Sequence, residues 1–183
     1  MNNNYTSKVG IVFDVLVYGL FAIILSVLQT TLVPRMPIYD ATPDIIIGAI
    51  AFLGIYRGEK TAALFGLFAG LCIDGLSSVG ASFLPLFYCI GGFVCGSIGK
   101  AAKENARFAA FLVTIPAFSF FRTLITFVKH LVDYGNTLEY AYYGLHVALP
   151  EFVSTLVLCI PVLFIGLAFD SPLQYARKKG WLY

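Results

Sequence analysis

The stretch from residue 59 to residue 80 reads EKTAALFGLFAGLCIDGLSSVG. Between Lys60 and Asp74 there is no charged side chain. Ala62, Gly66 and Gly70 recur every fourth residue and Asp74 continues the series, so a helix places all four on one face. In lipid, small residues at this spacing let two helix backbones approach closely. The stretch therefore predicts a membrane helix with a close-packing face that ends in a carboxylate.

Asp74 is the first candidate for a functional residue. A carboxylate inside a membrane is costly unless it meets water or a cation, so such a group is a functional-site hypothesis by default. The alternative is that Asp74 lies near the outer end of a short helix and is simply hydrated.

The composition predicts an integral membrane protein. Of 183 residues, 59% are hydrophobic and 12% are charged, and the mean hydropathy is +0.85, whereas soluble domains carry about 25% charged residues. We expect one membrane domain over residues 1–183. The net charge of +2 is too small to indicate nucleic acid. The four cysteines lack CxxC spacing and indicate neither a metal site nor a disulfide framework.

Six apolar segments predict an all-α bundle of six transmembrane helices. The segments are approximately Ile11–Val33, Pro43–Tyr56, Thr61–Leu76, Phe83–Ile98, Phe108–Val128 and Pro150–Phe169. A straight span needs roughly 17–25 residues. The second, third and fourth segments are shorter and contain glycines, which favours a shallow cavity that opens to one face.

The distribution of basic residues predicts the orientation. With six spans, nine of the twelve Lys and Arg residues lie on the side of the N-terminus, Arg35 and Lys129 lie on the other side, and Arg122 lies within a span. Cytoplasmic loops are enriched in Lys and Arg. We therefore expect a multi-pass protein of the cytoplasmic membrane with both termini in the cytoplasm.

Two charged residues are predicted to lie at the same depth. Asp74 is fourteen positions beyond Lys60, and Arg122 is fifteen beyond Arg107. At 1.5 Å per residue, both lie about 21–23 Å above the cytoplasmic boundary. An Asp74–Arg122 pair would remove most of the cost of burying either charge. The alternative is that Arg122 extends alone to the outer surface.

Three further polar residues are predicted toward the same outer side: Gln29, Asp44 and Glu151. Asp44 follows Thr42 and Pro43, which favours a helix start with Thr42 as the N-cap. Glu151 likewise follows a proline. An acid in the first turn stabilises a helix, so this explanation is favoured over a ligand role for both acids.

The fourth segment contains Gly92 and Gly96 as a GxxxG motif. With Gly66 and Gly70 it predicts that the third and fourth helices pack closely, or that one of them receives a partner helix. The chain contains no Walker loop, HExxH, GxSxG or dinucleotide fingerprint. We therefore expect no enzyme activity, no cofactor and no metal.

The sequence resembles the MreD family, small membrane proteins of the bacterial rod-shape system. The resemblance runs through Leu28-Gln29-Thr30, Pro43-Asp44, the Gly66–Asp74 core and Gly80, with the six-span plan. After about Lys100, the chain resembles the family only in its pattern of hydropathy. The resemblance implies a non-enzymatic component of the cell-elongation machinery for peptidoglycan synthesis. It also implies four partners, namely an MreC-like bitopic protein, a RodA-type glycosyltransferase, its penicillin-binding transpeptidase and, indirectly, MreB.

The MreD family is also similar in fold to the substrate-binding S components of energy-coupling-factor vitamin transporters, and this supplies an alternative function. A vitamin site would need an outward pocket with polar groups. The first outer loop, residues 34–42, is short and poor in hydrogen-bonding side chains, which favours the scaffold. We expect a rigid platform in lipid, on whose glycine faces or Asp74 recess a partner helix docks. Gly70→Leu is then expected to break assembly but not insertion.

Overall fold

A computed structural model describes the backbone of residues 3–35, 42–76, 83–134 and 144–178, and the side chains of residues 16–35, 42–76, 83–128 and 146–168. Six α-helices occupy these ranges. They are α1 (Asn3–Thr31), α2 (Ile45–Arg57), α3 (Glu59–Leu76), α4 (Leu84–Ala101), α5 (Arg107–Tyr134) and α6 (Leu149–Lys178). Short helical turns precede or follow them at Val33–Arg35, Glu104–Ala106 and Gly144–Ala148.

The described ranges contain helices and no strand, so the all-α prediction is confirmed. Four of the helices, α1, α4, α5 and α6, include windows that are long and apolar enough to cross a membrane. The chain is therefore a helical membrane protein. The fourth predicted segment was too short, because α4 continues to Ala101 and reaches 18 residues. Gly80 and the rest of the link between α3 and α4 lie outside the described residues.

Helix α2 is the centre of the bundle. Its ten consecutive residues from Ile46 to Ile55 are all buried. A helix that is hydrophobic on every side is expected to be enclosed on every side, and α2 contacts α3, α4, α5, α6 and, less extensively, α1. Exposed large apolar side chains lie on each of the other five helices and on none of the described positions of α2. The other helices therefore separate α2 from lipid.

The start of α2 lies two residues later than the sequence suggested. Asp44, with φ −109° and ψ 100°, is the N-cap, and its Oδ1 accepts a hydrogen bond of 3.0 Å from the backbone N–H of Ile46. The prediction of Thr42 as the N-cap was wrong. A carboxylate is as good a cap as a threonine hydroxyl, and here the acid is the residue whose side chain reaches the free N–H.

A single residue joins α2 to α3. Gly58 has φ +100°, a conformation that residues with a Cβ rarely adopt. Its backbone N–H donates to the carbonyls of Gly54 at 3.0 Å and Leu53 at 3.1 Å. Gly58 therefore ends α2, and the two helices form a tight antiparallel hairpin.

The small residues of α3 pack against α4. A Cβ added to Gly70 would lie 2.5 Å from the Cα of Pro85, and one added to Gly66 would overlap the backbone of Tyr88. Only a residue without a side chain allows backbones this close. The α3–α4 contact is the most extensive helix–helix contact in the described part of the chain.

The facing side of α4 is built in the same way. A Cβ on Gly92 would overlap the carbonyl of Ala62, and a Cβ on Gly96 would overlap the backbone of Glu59. We call this contact the glycine seam, formed by Ala62, Gly66 and Gly70 of α3 with Gly92 and Gly96 of α4. Each helix occupies the glycine face of the other, so this face is not open to a further helix.

The bundle has two ends, which we name after residues of α2. The Asp44 end holds the starts of α2, α4 and α6 and the ends of α1 and α3. The Arg57 end holds the end of α2, the start of α3, the end of α4 and the start of α5.

Candidate functional site

Buried charges meet at the Asp44 end around Arg122 of α5. Its Nε lies 2.9 Å from Oδ2 of Asp44, an ion pair whose N–H is not aligned for a hydrogen bond. Its Nη1 donates to Oε1 of Glu151 at 2.5 Å. The side chain of Asp44 is 0% exposed, that of Glu151 8% and that of Arg122 18%. The two acids cross-link the starts of α2 and α6 through α5.

Asp44 has partners on four sides. Its Oδ1 caps α2, and its Oδ2 accepts a hydrogen bond from the hydroxyl of Tyr88 and faces Arg122. Its backbone N–H donates to Oγ1 of Thr155 at 3.0 Å. A buried carboxylate is tolerated only when its lone pairs are satisfied in this way. The prediction that Asp44 stabilises a helix start is therefore correct but incomplete, because Asp44 also forms an ion pair with Arg122.

Gln29 attaches α1 to the residues on either side of Asp44. Its Nε2 donates to the carbonyl of Pro43 at 2.8 Å, and its Oε1 accepts from the backbone N–H of Ile45 at 3.0 Å. The amide thereby satisfies backbone groups that the first turn of a helix leaves free. Four of the five predicted intramembrane polar residues thus come together. We call Gln29, Asp44, Tyr88, Arg122, Glu151 and Thr155 the polar cluster.

Asp74 is the fifth, and it lies apart. Arg122 pairs with Asp44 and Glu151 instead, and Oδ1 of Asp74 is buried without a hydrogen-bond partner among the described residues. The expected Asp74–Arg122 pair is therefore wrong. Asp74 and Arg122 were predicted to pair because they lie at the same depth. Equal depth does not determine whether the two side chains point toward each other. Residues 77–82, which follow α3, lie outside the described part of the chain.

The polar cluster carries one guanidinium and two carboxylates. With both carboxylates ionised its formal charge is −1. Ion pairs in a low-dielectric interior have to offset a large desolvation cost, and every charged member here has a partner of opposite sign. The chemistry that this arrangement supports is cohesion between the helices that carry Asp44, Arg122 and Glu151.

Sequence reasoning missed Tyr88 and Thr155. Tyr88 lies inside the apolar run of α4, yet it is 1% exposed and donates to Asp44. Buried tyrosine hydroxyls usually find a partner, so a tyrosine in mid-helix was a usable signal. Thr155, one turn after Glu151, carried no signal of its own, because threonine hydroxyls in membrane helices commonly bond within their own helix.

The structure offers little for a metal or a nucleophile. Within the described ranges, no three side chains of His, Cys, Asp or Glu lie close enough together to hold a metal ion. All four cysteines are free thiols; Cys95 and Cys159 are buried, and Cys72 and Cys89 are half-buried.

Comparison of the chain with protein-family models, with curated proteins and with solved structures gave no match.

Proposed function

We propose that the chain is a non-enzymatic membrane scaffold of the bacterial cell-elongation machinery, as its resemblance to the MreD family implies. The observation that carries the proposal is the polar cluster. Its hydrogen bonds and ion pairs join α1, α2, α4, α5 and α6 at one end of the bundle. Ionisable groups engaged with one another in this way fix the arrangement of helices, which is what a platform for other proteins requires.

The proposed orientation puts both termini in the cytoplasm and the Asp44 end toward the outside. The Arg57 end carries Arg57, Lys60, Lys100 and Arg107, and basic residues favour the cytoplasmic side. An MreC-like bitopic partner would then meet the polar cluster at the level where its own extracytoplasmic domain begins. Through that partner the scaffold would position a RodA-type glycosyltransferase, its transpeptidase and, indirectly, MreB.

The partner helix docks on α5 beside the polar cluster in this proposal. Because α4 occupies the glycine face of α3, the docking surface has to be another one. Phe120 and Phe121 are more than half exposed next to Arg122, with ring centres 6.2 Å apart. Exposed aromatic side chains are common anchors of interfaces.

The experiment is affinity purification of the full chain from its own cells in mild detergent, with quantitative mass spectrometry of bound proteins and small molecules. Phe121→Ala is compared with Phe108→Ala, which removes an equally exposed ring from the other end of the same helix. We expect cell-wall synthesis partners with the unmodified chain and with Phe108→Ala, and a several-fold lower yield with Phe121→Ala.

Two results would overturn the proposal. One is a purified chain without any cell-wall protein above the level of an unrelated membrane protein. The other is a stoichiometric vitamin together with ATPase subunits, which would favour the alternative of a transporter S component.

A further inference from the structure

A basic cleft opens at the Arg57 end. It has a volume of about 500 Å³, within the ~300–1,000 Å³ typical of ligand sites. Its charged lining consists of Arg57, Lys60, Lys100, Arg107 and Glu59. Lys60, Lys100 and Arg107 alone outnumber the one carboxylate, that of Glu59, so the cleft is suited to an anion.

The backbone adds to this preference. Residues Gly58 to Thr61 line the cleft and form the start of α3. The first N–H groups of a helix lack intrahelical acceptors and bind anions. Lys100 makes only a long ion pair with Glu59, with 3.9 Å between Nζ and Oε1, and its side chain is 78% exposed. Its ammonium group can therefore still interact with a bound anion. The Nε of Arg107 is buried without a hydrogen-bond partner among the described residues.

A separate apolar groove runs between α1 and α3. Its volume is about 720 Å³, and its walls include Leu16, Leu20, Ile23, Leu64 and Phe68. Gly19 lines it as well, with no atom within 4 Å of where its Cβ would be. Along α3 the groove extends from residue 60 to residue 68, about 12 Å at 1.5 Å per residue. That is most of one leaflet of a bilayer whose core is ~30 Å thick.

The cleft and the groove adjoin. Lys60 and Thr61 line both of them. Arg57, in the cleft, lies with its guanidinium carbon 5.9 Å from the ring centre of Tyr18, which lines the groove. A ligand that fills both must have an anionic head joined to a long apolar chain.

We propose that the chain binds one anionic phospholipid from the leaflet at the Arg57 end. The headgroup phosphate lies in the cleft near Lys60 and Arg107, and one acyl chain lies in the α1–α3 groove. Basic pockets between membrane helices are suited to anionic headgroups. A transmembrane helix of a partner would fill the groove but would also need an acidic side chain at its end to occupy the cleft, and free phosphate would leave the groove unused.

The headgroup is tested by native mass spectrometry of the detergent-solubilised chain with equal amounts of phosphatidylglycerol and phosphatidylcholine of identical acyl chains. We expect selective retention of phosphatidylglycerol and about fivefold weaker retention in Lys60→Gln, since one basic residue near an anionic headgroup contributes about that factor. Lys103→Gln is the matched control, an exposed lysine at the same end that does not line the cleft. It should retain the lipid as the unmodified chain does.

The groove is tested with Gly19→Leu, because Gly19 lines it and an added Cβ there has no atom within 4 Å. Gly75→Leu is the control, because Gly75 also has no atom within 4 Å but lies at the opposite end of α3. We expect several-fold weaker retention of phosphatidylglycerol in Gly19→Leu and no change in Gly75→Leu.

Four outcomes would overturn the proposal. They are equal retention of the two lipids, unchanged retention in both Lys60→Gln and Gly19→Leu, binding of glycerophosphoglycerol (the headgroup without acyl chains) as tight as that of the lipid, and a photo-crosslinker at Leu20 that captures protein instead of lipid. The first three outcomes do not depend on which proteins co-purify, so this proposal and the proposed scaffold can fail independently.

Discussion

At the scale of single residues, Arg122 is the cation that pairs with both buried acids of the Asp44 end. A guanidinium inside a membrane helix is tolerated when carboxylates face it, and Asp44 and Glu151 do so from α2 and α6. Removing one partner of a buried ion pair costs far more than the pair itself contributes, because the remaining charge stays buried. Variants at this position therefore have large and testable effects.

Arg122→Gln should lower the free energy of unfolding by about 3–5 kcal/mol, because it leaves two buried carboxylates without a cation. Thermal unfolding in detergent measures this. Arg35→Gln, at an exposed arginine of the same end, is the control and should have little effect. Adding Glu151→Gln to Arg122→Gln should recover part of the loss by removing one of the orphaned charges. A double variant less stable than Arg122→Gln alone would contradict the described pairing.

Tyr88→Phe should cost about 1–3 kcal/mol, since it leaves Oδ2 of the buried Asp44 without its hydroxyl donor. Tyr56→Phe removes a hydroxyl from a ring that stacks on Phe52 at the other end of the bundle, with ring centres 5.0 Å apart. Both variants are compared by thermal unfolding. If Tyr56→Phe proved as damaging as Tyr88→Phe, the hydrogen bond to Asp44 would not be the cause.

Sequence reasoning found four of the six members of the polar cluster but not their pairing. Gln29, Asp44, Arg122 and Glu151 are recognisable because polar residues in apolar runs are rare. Counting residues along a helix predicts a depth for Arg122, yet it gives no information on which way the side chain points. The partners come from helices far apart in the chain, so only their tertiary packing determines that Arg122 meets Asp44 and not Asp74.

At the scale of elements, the glycine seam fixes the distance between α3 and α4. Backbone atoms lie where a Cβ on Gly66, Gly70, Gly92 or Gly96 would be. The spacing of small residues was sufficient to predict such a face. The spacing could not show whether the helix packed against this face belongs to the same chain or to a partner, since both would require the same small residues. With α4 in that position, Gly70→Leu is now expected to disturb the fold itself before any assembly.

Gly70→Ala and Gly75→Ala should have effects of opposite sign. Gly70→Ala adds a Cβ 2.5 Å from the backbone of Pro85, and overpacking typically costs about 1–3 kcal/mol. Gly75→Ala meets nothing within 4 Å, and alanine is favoured over glycine in a helix by up to about 1 kcal/mol. The measurement is the change in thermal stability of each variant in the same detergent. A stabilising Gly70→Ala would show that the two backbones are not in contact.

The helices themselves were predictable, with limits. All six predicted segments overlap helices, because long apolar runs are a strong signal. Their ends were less predictable: α1 starts at Asn3 and α6 continues to Lys178, both beyond the apolar runs. Complete burial of α2 was not predictable either, because an apolar helix looks the same in sequence whether lipid or protein surrounds it.

At the scale of the whole molecule, the proposed orientation is open to a direct test. Single cysteines replace Arg35 and Lys103, which are exposed at opposite ends of the bundle. A membrane-impermeant thiol reagent should label Arg35→Cys in intact cells and Lys103→Cys only after permeabilisation. The unmodified chain, with its four thiols, provides the background. The reverse labelling pattern would place the Asp44 end in the cytoplasm and would contradict the proposed docking of an extracytoplasmic partner.

Complete enclosure of α2 has a consequence for biogenesis. The ribosome releases this helix second, whereas α4, α5 and α6, which supply much of its cover, are synthesised afterwards. The apolar face of α2 can meet lipid meanwhile, but Asp44 at its start has no Arg122 to pair with until α5 is made. Chains truncated before α6 would leave Gly48 without Cys159, the residue that packs against it, and would expose one side of α2 to quality-control proteases.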